Sequence, residues 1–153
     1  MISRLRVCLR LSGRDIGLLM GAVVLLPVTS LAFRMIGFRR WHSILASFSL
    51  GNRTPAAGVT LEHIRRTARM VQFAARRGPY RATCLPQSLT LWFFLRRQGI
   101  KSDLRLGTRR DANRFEAHAW VECQGQVLND SDDVSERFTP FVGAIVPMAA
   151  EIR

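Results

Sequence analysis

Three residues in the second half of the chain are of the types that acyl transfer needs. Cys84 lies just before a proline and a long apolar run, His118 lies within 115-FEAHAWVEC-123, and Asp130 ends 127-VLND-130. A thiolate attacks a carbonyl carbon, an imidazole serves as base and then as acid, and a carboxylate orients the imidazole. The order Cys, His, Asp therefore suggests a catalytic triad. The alternative is that Cys84 belongs to the core, the commoner place for a lone cysteine in an apolar stretch.

The element that would hold Cys84 is a helix, predicted over about 85–98 from the helical period of its apolar residues. Pro86 fits only the first turn, because it has no backbone N–H, and Gly99 is typical of a C-terminal cap. Cys84 would thus lie at the amino end of the helix, where the dipole favours a thiolate and unpaired amides can bind an oxyanion. The candidate oxyanion donors are the backbone amide of Cys84 and, less strongly, the side chain of Gln87.

Two strands would carry the other two residues of the triad. The pattern predicts strands over 103–108, 115–123 and 127–130, joined by a polar loop at 109–114 and a turn at 124–126. Alternation places His118 on the more polar face of its strand and Cys123 on the apolar face, as a small core residue. A two-residue turn would put Asp130 on the face opposite His118, whereas a three-residue loop would put both on one face. The triad hypothesis therefore predicts an odd-length loop or a bulge at 124–126.

The remaining histidines and cysteines offer weaker sites. The chain has three cysteines, an odd number without short spacing, which argues against a disulfide scaffold, and it has no cysteine or histidine pair spaced for zinc. We expect reduced thiols and no metal. His42 and His63 are rival bases, but neither is followed by a carboxylate on a paired strand, so His118 is the preferred base.

An uncharged, mostly apolar run over 16–33 lies between arginine-rich flanks. It is long enough to span a membrane, but it also fits a helix buried against the domain or a partner, or a signal sequence that lacks a clean cleavage site. Pro27 would kink a spanning helix. Further on, the stretch 47-SFSLGNRTPAAGVT-60 is rich in Ser, Gly, Asn and Pro, which is typical of a linker. We therefore predict an amino-terminal helical, apolar region with a linker over 1–58 and a catalytic domain over 59–153.

Composition and charge limit the class of protein and of partner. The chain has 153 residues, of which 48% are hydrophobic and 22% charged, as in a globular protein with a sizeable core. Its formal net charge is +12, carried almost entirely by arginine, which fits an acidic partner or simply solvated helix faces. The arginines are not interleaved with aromatic residues and show no zinc-finger spacing, so no nucleic acid is expected.

The quoted segments together resemble a known family. The run 83-TCLPQSLTLWFFLRRQGI-100, with 115-FEAHAWVE-122 and 125-GQVLND-130, is similar to the lasso peptide biosynthesis B2 proteins, the stand-alone leader peptidases of lasso peptide gene clusters. The resemblance covers about 60–130. It implies an α+β fold with a transglutaminase-like or papain-like cysteine protease core, in which a helix that starts with a cysteine packs on a small antiparallel sheet and is preceded by N-terminal helices.

The resemblance also implies a reaction and partners. It implies that Cys84 is the nucleophile, His118 the general base and Asp130 the third member of a triad that removes the leader from a precursor peptide in the cytoplasm. The implied partners are the precursor's leader, a leader-recognition B1 protein and a lasso cyclase, to which ATP belongs, so no cofactor is expected here. The apolar run 16–33 would then be a docking surface for a partner. Alternatives are an amidase or transglutaminase-type acyl transferase on the same fold, or a membrane-associated scaffold with an inert cysteine.

Overall fold

In the part of the chain that the structure describes, four long helices are followed by a small sheet. The computed structural model describes residues 12–49, 59–111 and 114–141. The helices are α1 (Gly13–Met35), α2 (Phe38–Ser49), α3 (Leu61–Arg77) and α4 (Cys84–Arg97). The strands are β1 (Asp103–Asp111), β2 (Arg114–Cys123), β3 (Gln126–Val127) and β4 (Thr139–Pro140), with the one-turn helix α5 (Val134–Arg137) before β4. The strand order is β3-β2-β1-β4, with antiparallel neighbours throughout, so the predicted α+β class is confirmed.

One hydrophobic core joins the helices to the sheet. Leu26 of α1, Val71 of α3 and Leu89 of α4 are buried in the same cluster as Leu104 of β1 and Val121 of β2. Helix α4 lies at its centre, because it packs against α1, α2 and α3 as well as against β1 and β2. Burial on several sides fixes the position of α4 and therefore of the cysteine at its first residue.

Caps mark the start of α3 and the end of α4, and the predicted C-terminal cap of α4 at Gly99 is confirmed. The Thr60 hydroxyl accepts a hydrogen bond from the amide of His63 at 3.3 Å, as expected of an N-cap. Gly99, at φ +75°, closes α4 with its amide on the Arg96 carbonyl at 3.0 Å. A left-handed residue there favours glycine, since a side chain would crowd the backbone. The Gly99 cap sets where α4 ends relative to the sheet.

The apolar run 16–33 lies within the unbroken helix α1, which passes through Pro27. One side of α1 is buried in the core, and the other exposes a row of large apolar side chains: Ile16, Met20, Val24, Val28, Leu31 and Met35. Among the described residues, α1 is the one helix that is long and apolar enough to cross a membrane. Helix α1 therefore packs against the domain along one side and leaves an apolar surface on the other.

An ion pair between a buried carboxylate and a half-exposed arginine joins α1 to α3. Asp15, at the start of α1, is 3% exposed and accepts from Arg66 Nε at 2.7 Å. A second bond joins the other guanidinium nitrogen to the carboxylate. The hydrogen bond from Arg66 lowers the pKa of Asp15, against the opposing effect of burial. Asp15 also completes a capping box with Ser12, so one carboxylate both starts α1 and ties it to the domain.

The strands differ from the predicted ones in length. β1 and β2 extend into the predicted loop 109–114, where Arg109 Nη2 bonds Glu116 across the hairpin at 2.7 Å. This pairing lets a polar segment continue as strand. β3 is shorter than the predicted strand 127–130. The predicted edge strand in the tail is present as β4. The predicted linker 47–60 starts too early, since α2 continues to Ser49. Residues 50–58 of that linker, the domain boundary placed there and the tail beyond 141 lie outside the described residues.

The predicted odd-length loop or bulge at 124–126 is wrong. Cys123 pairs with Gln126, which leaves a two-residue turn of Gln124 and Gly125. Both turn residues have positive φ, 52° and 75°, the conformation that two-residue hairpins favour because its twist matches that of the strands. By register alone, Asp130 would then lie on the face of the sheet opposite His118.

The face of β2 predicted to be the more polar one also carries a small core. Trp120 lies on it and is fully buried, covered by Val134 of α5 and by Phe138. The segment after residue 131 therefore closes over this face. Cys123, on the other face, is buried in the main core as predicted.

Candidate active site

Cys84 is the first residue of α4 and has a partly exposed, unpaired thiol. The side chain of the N-cap residue, Thr83, makes no capping hydrogen bond. The amide of Gln87 bonds the Thr83 carbonyl at 3.3 Å, and Pro86 has no N–H. Within the described residues, the amides of Cys84 and Leu85 thus lack acceptors at this helix end. These two N–H groups are suited to hold an oxyanion beside the thiol.

His118 lies on β2 with its ring enclosed by aromatic side chains. It stacks on Phe138, with 4.9 Å between ring centroids, and more loosely on Trp120, at 6.3 Å. Its Nε2 bonds Oδ2 of Asp130. Within the described part of the chain, Nδ1 makes no hydrogen bond. The ring is therefore held in one orientation, with one nitrogen on a carboxylate and the other available for proton transfer.

Asp130 is half-buried and held by several donors. Its Oδ1 accepts from the Ser131 amide at 2.7 Å and from Arg137 Nη2 at 2.8 Å. Burial raises the pKa of Asp130, but hydrogen bonds from Ser131, His118 and Arg137 outweigh it, so the pKa lies below its ordinary value. The carboxylate is then ionised at neutral pH and accepts the Nε2 proton of His118, which leaves the Nδ1 lone pair free to act as base.

Asp130 reaches His118 although the turn before it has two residues, because the backbone leaves the ladder early. The Leu128 amide still bonds the Val121 carbonyl at 3.0 Å. In a continuing strand, the Val121 amide would bond the Leu128 carbonyl. Here it bonds the side-chain oxygen of Asn129 instead, at 2.8 Å. The Asn129 side chain ends the strand in this way, and Asp130 turns to the face of His118.

The structure places the start of α4 against β2. Ser88, one turn after Cys84, donates its hydroxyl proton to the Ala119 carbonyl at 2.8 Å, next to His118 in the chain. Among the described residues, the Cys84 thiol makes no hydrogen bond to the imidazole. Hydrogen bonds between catalytic groups are often loose before substrate binds. The structure thus pairs His118 with Asp130 directly and brings the helix end of Cys84 to the same strand.

The rival bases lie elsewhere. His42 is buried between the rings of Phe38 and Trp92. Burial, with a smaller effect of Arg96, lowers its pKa, so it is neutral at physiological pH. His63 Nε2 pairs with the Gln98 side chain at 2.7 Å. Neither has a carboxylate partner among the described residues.

The other described cysteine is sequestered. Cys123 donates weakly to the Lys101 carbonyl at 3.2 Å, and burial raises the pKa of its thiol. A protonated, enclosed thiol is a poor nucleophile. In the parts of the chain that the structure describes, no group of three or more His, Cys, Asp or Glu side chains could hold a metal ion.

Four residues of the site were missed by sequence reasoning: Ser88, Asn129, Arg137 and Phe138. The signal for Asn129 was present, since an asparagine just before Asp130 is a residue type that commonly bonds backbone groups and ends regular structure. The contacts of the other three depend on how α4 and α5 pack on the sheet, which no local pattern shows.

A family model described as the transglutaminase-like superfamily matches residues 23–143. The chain belongs to the transglutaminase-like superfamily. The match begins inside α1 and ends just beyond β4, so the second part of α1, the other described helices, the sheet and the segment that covers His118 all fall within it. Transglutaminase-like proteins are typically cysteine proteases or acyltransferases. No curated protein and no solved structure matches the chain.

Proposed function

We propose that this transglutaminase-like protein is a cysteine peptidase that removes the leader from a lasso peptide precursor. The observation that carries the proposal is the His118–Asp130 pair, whose second ring nitrogen is available on the strand that abuts the helix of Cys84. The resemblance of 83–100 and its companion segments to the B2 leader peptidases supports the choice of substrate. The superfamily supports the reaction class, in which an acyl group passes from an amide nitrogen to a cysteine thiol.

The proposed reaction has two halves. The Cys84 thiolate attacks the carbonyl of the last leader residue, and the amides of Cys84 and Leu85 hold the oxyanion. His118, carrying the thiol proton on Nδ1, gives it to the departing amine, which frees the core peptide and leaves the leader as a thioester on Cys84. His118 then takes a proton from water, hydroxide adds to the thioester, and the thiolate leaves. Asp130 stabilises the imidazolium in both halves.

The central test uses cysteine variants of the whole protein. We expect the wild type, mixed with the precursor encoded beside its gene and the matching recognition protein, to release a peptide shorter by the mass of the leader. Cys84→Ala should fold and release none. Cys123→Ala, which removes a buried thiol outside the site, is the matched control and should still process the precursor. Processing by a folded Cys84→Ala protein would contradict the proposal.

The same experiment separates the peptidase from its rivals. A precursor of unchanged length that gains an added primary amine would indicate a transglutaminase-type transferase, since an amine then replaces water in the second half of the reaction. Loss of a side-chain amide alone, a mass increase of about one unit without shortening, would indicate an amidase. Binding of the precursor without any mass change, in both the wild type and Cys84→Ala, would indicate a scaffold.

We further propose that the protein works in the cytoplasm with the leader-recognition protein, docked on the exposed apolar side of α1, and passes the core peptide to the cyclase. The exposed side chains there support this assignment because unpartnered apolar surface of this extent is typical of binding sites. Val24→Glu should weaken co-purification with the recognition protein. Phe73→Glu, at an exposed position on α3, is the control and should not. Sedimentation with anionic vesicles that is lost in Val24→Glu would instead assign the surface to a membrane.

A further inference from the structure

Beyond the triad, a second set of hydrogen bonds connects the same three elements. Its members are Ser88 and Asn129, and its remaining partners are backbone groups of β2. Asn129 Nδ2 donates to Ser88 Oγ at 2.8 Å, and Ser88 donates onward to the Ala119 carbonyl at 2.8 Å. Asn129 Oδ1 accepts from the Val121 amide at 2.8 Å. The two side chains thus form a continuous bridge from α4 through the segment after β3 to the middle of β2.

Each of the three segments that the bridge connects also carries one member of the triad close by. Ser88 is one turn after Cys84 on α4. Ala119 follows His118 on β2, and Asn129 precedes Asp130. A shift of any one element relative to the others would break a bond of the bridge. The bridge therefore fixes the relative positions of the thiol, the imidazole and the carboxylate without contacting any of them.

The bridge is built as a buried network rather than as a surface contact. Ser88 is 0% exposed, and its hydroxyl both donates and accepts, so it is satisfied in both roles. The adjoining β2 residues, Ala119 and Val121, are also buried. In such surroundings an unpaired polar group is costly, so the network holds one arrangement strongly. Asn129 has the further task of ending β3, which lets Asp130 face His118.

We propose that Ser88 and Asn129 are positioning residues, which set the distance between Cys84 and the His118–Asp130 pair. This inference rests on the proposed triad. Small displacements within a catalytic constellation lower rates strongly, because the reacting groups must lie within hydrogen-bond reach. Loss of the bridge should therefore lower kcat and leave KM nearly unchanged, since neither side chain is placed to touch the substrate.

The test measures how readily Cys84 reacts with iodoacetamide, which requires no peptide substrate. At about pH 6 an unassisted thiol is mostly protonated and reacts slowly. We expect the wild type to be alkylated faster than His118→Ala, as read by mass spectrometry of the tryptic peptide 82–96. In Ser88→Ala and in Asn129→Asp, we expect the alkylation rate of Cys84 to be about tenfold lower than in the wild type.

Two features of the variants keep the test specific. Asn129→Asp retains the oxygen that accepts from Val121 but not the N–H that donates to Ser88, so it opens the bridge on one side with little change of shape. Thr90→Val is the matched control, because it also removes a hydroxyl from a buried position on α4, and within the described residues that hydroxyl has no hydrogen-bond partner. It should react at the wild-type rate.

The outcomes separate the bridge from the triad. If the wild type reacts no faster than His118→Ala, the triad fails and the bridge's role fails with it. If the wild type depends on His118 but folded Ser88→Ala and Asn129→Asp react like the wild type, the bridge alone is overturned. In the double variant that carries both Ser88→Ala and Asn129→Asp, the alkylation rate should fall no further than in either single variant, because both substitutions break the same connection. Losses that multiply would contradict a shared bridge.

Discussion

At the scale of single residues, the site depends on a carboxylate that stays ionised. Asp130 is shared between His118 and Arg137, and the guanidinium lies on the oxygen that the imidazole does not use. Because several donors surround it, the carboxylate can neutralise an imidazolium without taking its proton. In the proposed mechanism, Asp130 is therefore an orienting and charge-stabilising group, and Nδ1 of His118 transfers the proton.

A substitution at Asp130 should therefore impair catalysis more than folding. In Asp130→Asn the amide retains the shape of the side chain but lacks the charge and favours the wrong imidazole tautomer. We expect kcat for leader removal to fall by about 100-fold or more, with a smaller change in KM. Asp132→Asn, at an exposed neighbouring position, is the control. Equal rates in wild type and Asp130→Asn would contradict the role assigned to the carboxylate.

The pairing of His118 with Asp130 was predictable only in part. Residue type and chain order indicated both residues, but register placed them on one face only with a three-residue loop, which the structure lacks. The prediction failed because it assumed that the backbone ladder continues to Asp130. A side-chain oxygen from Asn129 replaces a backbone carbonyl there, and patterns of hydrophobicity carry no information about such a replacement.

At the scale of elements, the two sides of the sheet have different tasks. One side packs on α4 in the main core, and the other packs under α5 and Phe138, where it holds His118. The helices were predictable because their apolar period and caps are local. The segment that covers His118 was not predictable in this way, since α5 has only four residues and its Val134 is buried against Trp120 of β2.

Gly107 of β1 leaves room for the aromatic side chains that pack around His118. It pairs with His118, and a Cβ there would lie 2.8 Å from the Trp120 ring and 3.1 Å from Phe138 Cβ. We expect Gly107→Ala to lower the free energy of unfolding by about 1–3 kcal/mol, because the aromatic cover must shift. Urea denaturation measures this change. Gly17→Ala, where a Cβ meets nothing within 4 Å in α1, should be neutral or stabilising, since alanine favours a helix. Equal stability of the two variants would show that the cover can adapt.

At the scale of the whole molecule, α1 connects the amino-terminal part of the chain to the core that holds the site. Sequence alone left open whether 16–33 spans a membrane, is a signal or packs against the domain. The structure shows Leu26 in the same core as α4 and a buried Asp15 bound to Arg66 of α3. Neither contact could be read from the sequence, because both partners lie far along the chain. The apolar composition of the run reflects two surfaces, one buried and one exposed.

The Asp15–Arg66 pair gives the fold a pH dependence of known sign. The hydrogen bond from Arg66 lowers the pKa of Asp15 below its ordinary value of about 3.8. A carboxyl group whose pKa is lower in the folded state stabilises the fold above the unfolded value, and this contribution is lost as the pH falls through the folded value. Urea unfolding from neutral pH down to acid should show a steeper loss of stability below about pH 4 in the wild type than in Asp15→Asn. If the free energy of unfolding had the same pH dependence in both proteins, the ion pair would have to separate before Asp15 is protonated.

If α1 is an integral part of the transglutaminase-like fold, a cavity in it should weaken the whole molecule. Leu26→Ala removes a side chain that is 1% exposed from the shared core, and we expect the free energy of unfolding to fall by about 2–5 kcal/mol. Val24→Ala, at a position 60% exposed on the same helix, is the matched control and should change it by less than about 1 kcal/mol. Urea unfolding followed by tryptophan fluorescence and by circular dichroism should give coincident transitions for both variants, because Trp92 of α4 and the helices share that core. A Leu26→Ala protein in which helix signal is lost first, while the tryptophan fluorescence persists, would instead make α1 an appendage that leaves without disturbing the site.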